Sequence, residues 1–449
     1  MLIKRDRYLG RLVERRHNGF VKIITGIRRC GKSFLLFRLF REYLIRDGVR
    51  PSQIVEIALD VKKFAALKDP IALGDYIDGK IKGRGWHYVF IDEIQECGRA
   101  LPPGIDPSRF PPEERDRLYV TFYDVLNELL RRPKVDVYVT GSNSRMLSSD
   151  IATNFRDRGD EVRLHPLSFG EYLPVSGVEK SEAWERYLVW GGMPGAIGRK
   201  TDESRTAYLR QLFDKVYFKD IVERHHLKAD GLLSDLTDIL SSSVGSLTNA
   251  KKIADTIATV QGVKATQPTV SKYLGYLEES YLFSKARRFD VKGRRYLSSP
   301  AKYYSEDIGL RNVRLNMRQG EESHLMENAI YNELVSRGYA VDVGVVDFTI
   351  REAGRQLRRQ TEIDFVVNVG TRKIYIQSAF SIPDEAKRRQ ETESLRRSGD
   401  FFKKIVVVSG FKPPQQDESG IIYVGVIPFL LDQAFLEDSS GPQGNILHE

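Results

Sequence analysis

Apolar residues fall into two recurring arrangements along this chain, and each predicts a different element. Short β-branched runs bounded by polar residues predict buried strands. They cover Phe20 to Thr25, His87 to Asp92 and Val135 to Thr140 in the first third, and Ala340 to Val346, Glu362 to Val367 and Lys373 to Ser378 in the last. Apolar positions three and four residues apart predict helices at Phe34 to Phe40, Thr121 to Leu130 and Leu325 to Leu334. Residues from about 167 to 230 read as helical, with a break at Gly191 to Gly195. Between 98 and 113, Pro102, Pro103, Pro111 and Pro112 predict an irregular surface loop. Strands alternating with helices at both ends of the chain predict an α/β architecture.

The first strand runs directly into Gly26-Ile27-Arg28-Arg29-Cys30-Gly31-Lys32-Ser33 and then into an apolar helix. This fits the spacing of a phosphate-binding loop in its required context. Gly26 and Gly31 let bare backbone approach an anion, and the helix start adds its own positive end. Lys32 reaches the β/γ oxygens of a nucleotide, and Ser33 holds Mg²⁺. The second strand ends in Asp92 and Glu93, where a parallel sheet presents its carboxyl edge. Asp92 is placed to hold Mg²⁺ through water, and Glu93 to take a proton from an attacking water. That pair predicts an ATPase rather than a small-molecule kinase, and no NKxD sequence occurs to read guanine. The third strand opens into Gly141-Ser142-Asn143-Ser144, so Ser142 or Asn143 is a candidate contact for the γ-phosphate or the water. Arg156 and Arg158, interleaved with acids, are candidates to serve a neighbouring subunit's phosphate.

Residues 1 to about 230, with RDRYL, GIRRCGKS, the FIDE strand, TGSNS, RDRGDE, HPLSFGEYL and GGMP, resemble the AAA+-like ATPases of the archaeal-ATPase type. These are often paired with a C-terminal domain of unknown function resembling restriction nucleases. The resemblance implies a RecA/AAA+-like P-loop core, a winged helix and a nuclease-like C-terminal domain. It also implies that Asn143 acts as sensor 1 and Arg158 as the finger in trans within a homo-oligomer, with Asp157 where the family commonly has Gly.

Further on, Asn249 to Ile257 and Gln267 to Leu277 read as a helix-turn-helix. Val270, Tyr273, Leu274 and Leu277 form an inward stripe, which leaves Gln267, Thr269, Ser271 and Lys272 on or near the free face, residue types that read a major groove. Lys285 to Tyr296 reads as a basic wing carrying Arg287, Arg288, Arg294 and Arg295. A winged helix also serves as a lid or subunit contact, so both uses stay open. In the last third the order helix acid, strand acid, third motif is that of a PD-(D/E)XK nuclease: Glu327, Asp364 and then Gln377-Ser378-Ala379. A neutral Gln and an Ala replace the usual Glu and Lys, which predicts a degenerate nuclease fold retained for binding or assembly. Glu362 shares a strand face with Asp364. The arginines Arg351, Arg355, Arg358 and Arg359 either line nucleic acid or form a solvated hairpin, the latter being the expected reading.

The expected organisation is therefore a P-loop AAA+-like ATPase domain at 1–165, a helical linker or lid at 166–245 and a winged helix-turn-helix at 246–315. A nuclease-like α/β domain at 316–435 and a disordered tail at 436–449 complete it. Across 449 residues, 70 Lys and Arg against 61 Asp and Glu give a net charge of +9, which favours an anionic partner. Two cysteines are too few for a disulfide framework. No signal-peptide core and no run of the roughly 20 apolar residues that span a bilayer occur, so a cytoplasmic protein without membrane contact is expected. Together these point to an Mg²⁺-dependent ATPase coupling ATP to DNA binding or remodelling. The alternatives are a signalling ATPase working through protein assembly and an ATP-gated nuclease.

Overall fold

The computed structural model describes residues 3–141, 158–227, 231–262, 265–318, 320–352, 355–370 and 372–437. The chain divides into two compact units: one of Leu2–His165 with Glu279–Tyr281, the other of Pro166–Glu278 and Leu282–Glu449.

The first unit begins with α1 (Asp6–Glu14), followed by β1 (Val21–Thr25). Next comes one continuous helical stretch, α2, running from Lys32–Phe34 through a widened π-type turn at Leu35–Phe40 into Arg41–Arg46. Then follow β2 (Ile54–Ala58), α3 (Pro70–Lys80), β3 (His87–Asp92), α4 (Phe122–Leu129), β4 (Val135–Thr140) and β5 (Gly159–Arg163). The strands form one sheet in the order β2-β3-β4-β1-β5, every neighbour parallel. Both faces of such a sheet are covered at its centre, and β1 and β3 are buried at every position. Val21, Ile23, Val89, Ile91, Val137 and Val139 pack one face against α3 and α4 through Leu73, Ile77, Leu126 and Leu129. On the opposite face of the sheet the Lys22 ammonium on β1 pairs with Asp136 on β4, a carboxylate that also accepts from the Tyr138 hydroxyl.

In the second unit a run of helices between Phe169 and Arg224 precedes α5 (Ala250–Gln261) and α6 (Gln267–Glu279). The expected break at Gly191 is a joint: the Gly192 N–H donates to the buried Asp307 carboxylate at 2.7 Å. After these come, among others, β6 (Phe283–Asp290), β7 (Arg295–Ser305), α7 (Glu322–Ser336), β8 (Ala340–Glu352), β9 (Arg355–Val369), β10 (Arg372–Ala379), α8 (Glu385–Arg396), β11 (Lys403–Val408), β12 (Gln415–Gln416) and β13 (Ile421–Gly425). All eight strands form one mixed sheet in the order β12-β13-β11-β10-β9-β8-β6-β7.

That order changes the expected organisation. The basic hairpin β6–β7, read from sequence as the wing of a separate domain ending at 315, is part of the C-terminal sheet. Arg288, Phe289 and Asp290 on β6 lie in parallel register with Val343, Gly344 and Val345 on β8. Backbone pairing holds it there, and pairing of this range leaves no trace in local sequence. The tail expected at 436–449 lies outside the described residues from 438 onward. No helix among the described residues is long and apolar enough to cross a membrane.

Candidate functional site

Because β1 sits between β4 and β5, the loop that follows it emerges inside the sheet's carboxyl edge rather than at its margin. Gly26 has φ +133°, and a Cβ there would stand 2.0 Å from the Leu164 carbonyl oxygen. Only glycine allows the loop to pass that backbone. Gly31, at φ +106°, turns the chain into α2. Ile27 and Cys30 are buried beneath the loop, with the Cys30 thiol against the Leu164 carbonyl at 3.4 Å, while Arg28 is half-buried and Arg29 exposed. Lys32 folds back across the loop mouth and donates to the carbonyls of Gly26 at 2.9 Å and Ile27 at 3.1 Å. Ser33 beside it is exposed.

Sequence reasoning missed how the loop is held from behind. Arg5, 3% exposed, donates to the Cys30 carbonyl at 3.1 Å and the His165 carbonyl at 2.7 Å, tying the loop to the strand end beyond β5. An arginine just before an N-terminal helix carries no local signal for that task.

At the end of β3, Asp92 is buried and Glu93 adopts a left-handed φ of +51°. The two are bridged by Thr140 at the end of the adjacent β4. Its hydroxyl donates to the Asp92 carboxylate and accepts from the Glu93 N–H at 3.0 Å. Glu93 also receives the Gln95 side-chain amide. Thr140 was legible only as a strand residue; its position opposite Asp92 requires knowing that β3 and β4 are neighbours.

The other candidates lie elsewhere. Asn143 falls outside the described residues, as do Ser142 and Arg156. Arg158 is exposed at the amino end of β5, where its carbonyl accepts from Val21 N–H at 2.9 Å. That is the opposite edge of the sheet from the loop, about 13 Å away along four strand residues. On α6, Gln267, Ser271 and Lys272 are exposed, while the Thr269 hydroxyl lies 2.9 Å from that of Thr266 at the helix start. Tyr276 is buried in the stripe where Tyr273 was expected, and Tyr273 is half-buried. In the β6–β7 hairpin, Arg287 lies over Tyr296, Arg288 donates to Gln360, Arg295 pairs with Asp290 at 3.5 Å and Arg294 is exposed.

Glu327 on α7 and Asp364 on β9 do converge, with a partner the sequence did not announce. Lys302 on β7, 3% exposed, places its ammonium 2.9 Å from Glu327, 2.8 Å from Glu362 and 3.1 Å from Asp364. The Tyr304 hydroxyl donates to Glu327 at 2.7 Å, and the Ser378 N–H donates to Asp364 at 2.9 Å. Gln377 accepts only a long contact from the Asp364 N–H, at 3.4 Å. Burial alone would lower the ammonium's pKa, but Tyr304 and the three carboxylates outweigh it and hold Lys302 well above its ordinary value. Burial pushes Glu327 up to about 7 despite Lys302. A lysine absent from its expected place two residues after Gln377 thus reaches the acids from another strand.

A parallel sheet with a glycine-bounded loop at its central strand and an acid pair at the next carboxyl end defines an AAA-type ATPase core. Residues 18–173 match a family model described as an AAA domain, and residues 181–321 match a domain of unknown function (DUF8612). An uncharacterized protein of Haemophilus influenzae is 30% identical over 437 residues, covering 96% of this chain and 99% of that protein. The chain belongs to that protein's family. An uncharacterized protein of Methanocaldococcus jannaschii is 24% identical over 386 residues, 82% of this chain and 77% of that one. Among solved structures, a Walker-type ATPase of Pyrococcus abyssi aligns with a TM-score of 0.46 and 16% identity, covering 70% of this chain and 96% of its own.

Proposed function

We propose that the protein is an Mg²⁺-dependent ATPase whose nucleotide state governs binding to DNA. The observation that carries the ATPase reading is Lys32: a buried ammonium held by two neutral carbonyls at the mouth of a bare-backbone loop. Carbonyls are weak partners for a buried cation, so phosphate oxygens replace them at a gain. The loop fits the polyphosphate for a second reason, since no side chain can grow from Gly26 to fill it.

Bound ATP with Mg²⁺ supplies the activated phosphoanhydride and the charge that offsets its oxygens. Around it, Lys32 turns from the carbonyls to the phosphate, and the loop's N–H groups align on it. Ser33 and Asp92 would hold the metal. Glu93 orients water and accepts its proton, which requires its carboxylate to leave Gln95. Thr140 keeps the two acids in fixed relation throughout. Asn143 contacts the γ-phosphate, and Arg158 serves the loop of another copy in a homo-oligomer, because it stands on the wrong edge of the sheet to serve its own. On the DNA side, Gln267, Ser271 and Lys272 present the exposed face of α6 to a groove.

Glu93→Gln tests this reading. The variant should bind Mg²⁺-ATP in calorimetry with an affinity near that of wild type, while turnover falls by about 10²–10³-fold. Normal turnover would remove Glu93 from its role as base.

A further inference from the structure

Two strands of the C-terminal sheet outrun it. β8 pairs with β6 only from Val343 to Val345, and β9 pairs with β10 only from Phe365 to Val369. Beyond those points Asp347–Glu352 and Arg355–Gln360 pair only with each other, in unbroken register from Asp347↔Gln360 to Glu352↔Arg355. The result is a two-stranded ribbon about 20 Å long at ~3.3 Å per residue. Such a ribbon is marginal in water alone, and this one is braced at its root. Phe348 lies under the Arg397 guanidinium at 3.9 Å, and Asp347 accepts from Arg358 at 2.5 Å and Gln360 at 2.8 Å. Nearer the tip, Arg351, Arg355, Gln356, Leu357 and Arg358 are exposed.

The register distributes these residues in a telling way. Cross-strand partners share a face, so Thr349, Arg351, Gln356 and Arg358 lie on one side and Ile350, Arg355, Leu357 and Arg359 on the other. Both faces carry arginine. Asp347 at the root is already engaged by Arg358 and Gln360, and Asp290 beside it by Arg295, while Arg288 and Lys292 add positive charge on β6–β7. A helix of DNA offers a slot of matching shape and opposite charge: a major groove about 12 Å wide, with phosphates on both walls and base edges on its floor.

We propose that this ribbon lies in the major groove of B-form duplex DNA, its arginines on the two phosphate walls and Gln356 toward the bases. The assignment rests on the DNA half of the function above but uses a surface separate from α6. The acid cluster behind it on the same sheet is filled by Lys302, so the ribbon grips duplex without presenting it for cutting.

The test is fluorescence anisotropy with the full-length protein and a labelled 30-base-pair duplex at several salt concentrations. Arg351→Gln with Arg355→Gln should weaken binding at least tenfold at low salt and flatten the log–log salt slope by about 2, one unit per lost phosphate contact. ATP turnover without DNA should stay at the wild-type level, which reports an intact fold. Duplex RNA of the same sequence should bind at least tenfold more weakly, because its major groove is deep and narrow. Unchanged affinity in the ribbon variant, with binding lost in Gln267→Ala plus Lys272→Ala, would overturn the ribbon assignment and leave DNA binding standing. Equal affinity for the two duplexes would overturn the groove assignment. No binding of any duplex by wild type would remove both.

Discussion

Two buried lysines of this protein, Lys32 and Lys302, are held in opposite ways. Lys32 has two backbone carbonyls, neutral acceptors that lose little if it turns away. Lys302 has three carboxylates within 3.1 Å, one for each of its N–H bonds. The first ammonium is kept available to an anionic ligand; the second is committed to the fold. Burial and charge alone do not mark a functional lysine, and the chemistry of its partners separates the two cases.

The largest effect that tests this contrast is on stability. Lys302→Met leaves Glu327, Glu362 and Asp364 clustered without their cation and should cost about 3–5 kcal/mol, read from the shift of the unfolding midpoint in denaturant. Lys32→Met removes a cation whose partners remain ordinary carbonyls at a solvent-facing loop. It should change stability by less than about 1 kcal/mol while abolishing ATP binding. Equal destabilisation by both would erase the distinction.

A smaller effect sharpens the comparison on the acid side. Asp92 and Glu93 are fixed by a hydroxyl, where Glu327, Glu362 and Asp364 are fixed by an ammonium. The hydroxyl binds the Asp92 carboxylate and the Glu93 backbone N–H, so it fixes the two residues while adding no charge of its own. Thr140→Val keeps the shape and deletes the bridge, so turnover should fall about tenfold, with ATP affinity within about twofold of wild type. Unchanged turnover would mean that β3 alone orients the pair.

What could be read from sequence follows from how far apart the cooperating residues lie. Gly26, Gly31, Lys32 and Ser33 act within eight residues, and a strand before them with a helix after them is visible as a change of period. Asp92 and Glu93 are legible as the polar end of an apolar run. Lys302 is not, because its hydrogen-bonded acids Glu327 and Asp364 lie 25 and 62 residues away in the chain. Its own strand, Ala301-Lys302-Tyr303-Tyr304, looks like any half-buried edge. The lysine of this cluster comes from β7 and not from the strand of Gln377, where the motif would place it. The β6–β7 hairpin misled for the same reason: its turn and basic residues are local, while its partner β8 is reached only after α7. Arg5 and Thr140 are further cases in which topology, not composition, assigns the task.

The smallest of these effects is a pH dependence carried by buried carboxyls of the second unit. Burial pushes Glu327 up to about 7 and Asp307 up to about 6, against ordinary values of 4.5 and 3.8. For Glu327 the nearby Asp364 charge adds to the rise and Lys302 opposes it; for Asp307 the N–H groups of Leu310, Gly192 and Gly309 oppose it. Between the ordinary and the raised value the folded chain binds more protons than the unfolded one, so protonation favours folding. The contribution is complete below about pH 4 and is lost as pH rises, through about 6 for Asp307 and about 7 for Glu327. Glu327→Gln keeps an oxygen acceptor for Lys302 and Tyr304 but cannot titrate. Thermal midpoints of wild type should therefore fall between pH 5 and pH 7.5, whereas those of Glu327→Gln should fall less steeply above about pH 6, the value to which burial raises Asp307. A wild-type midpoint that climbs across this range would show that the lysine keeps all three carboxylates ionised, making the cluster a full ion-pair network rather than one sharing a proton.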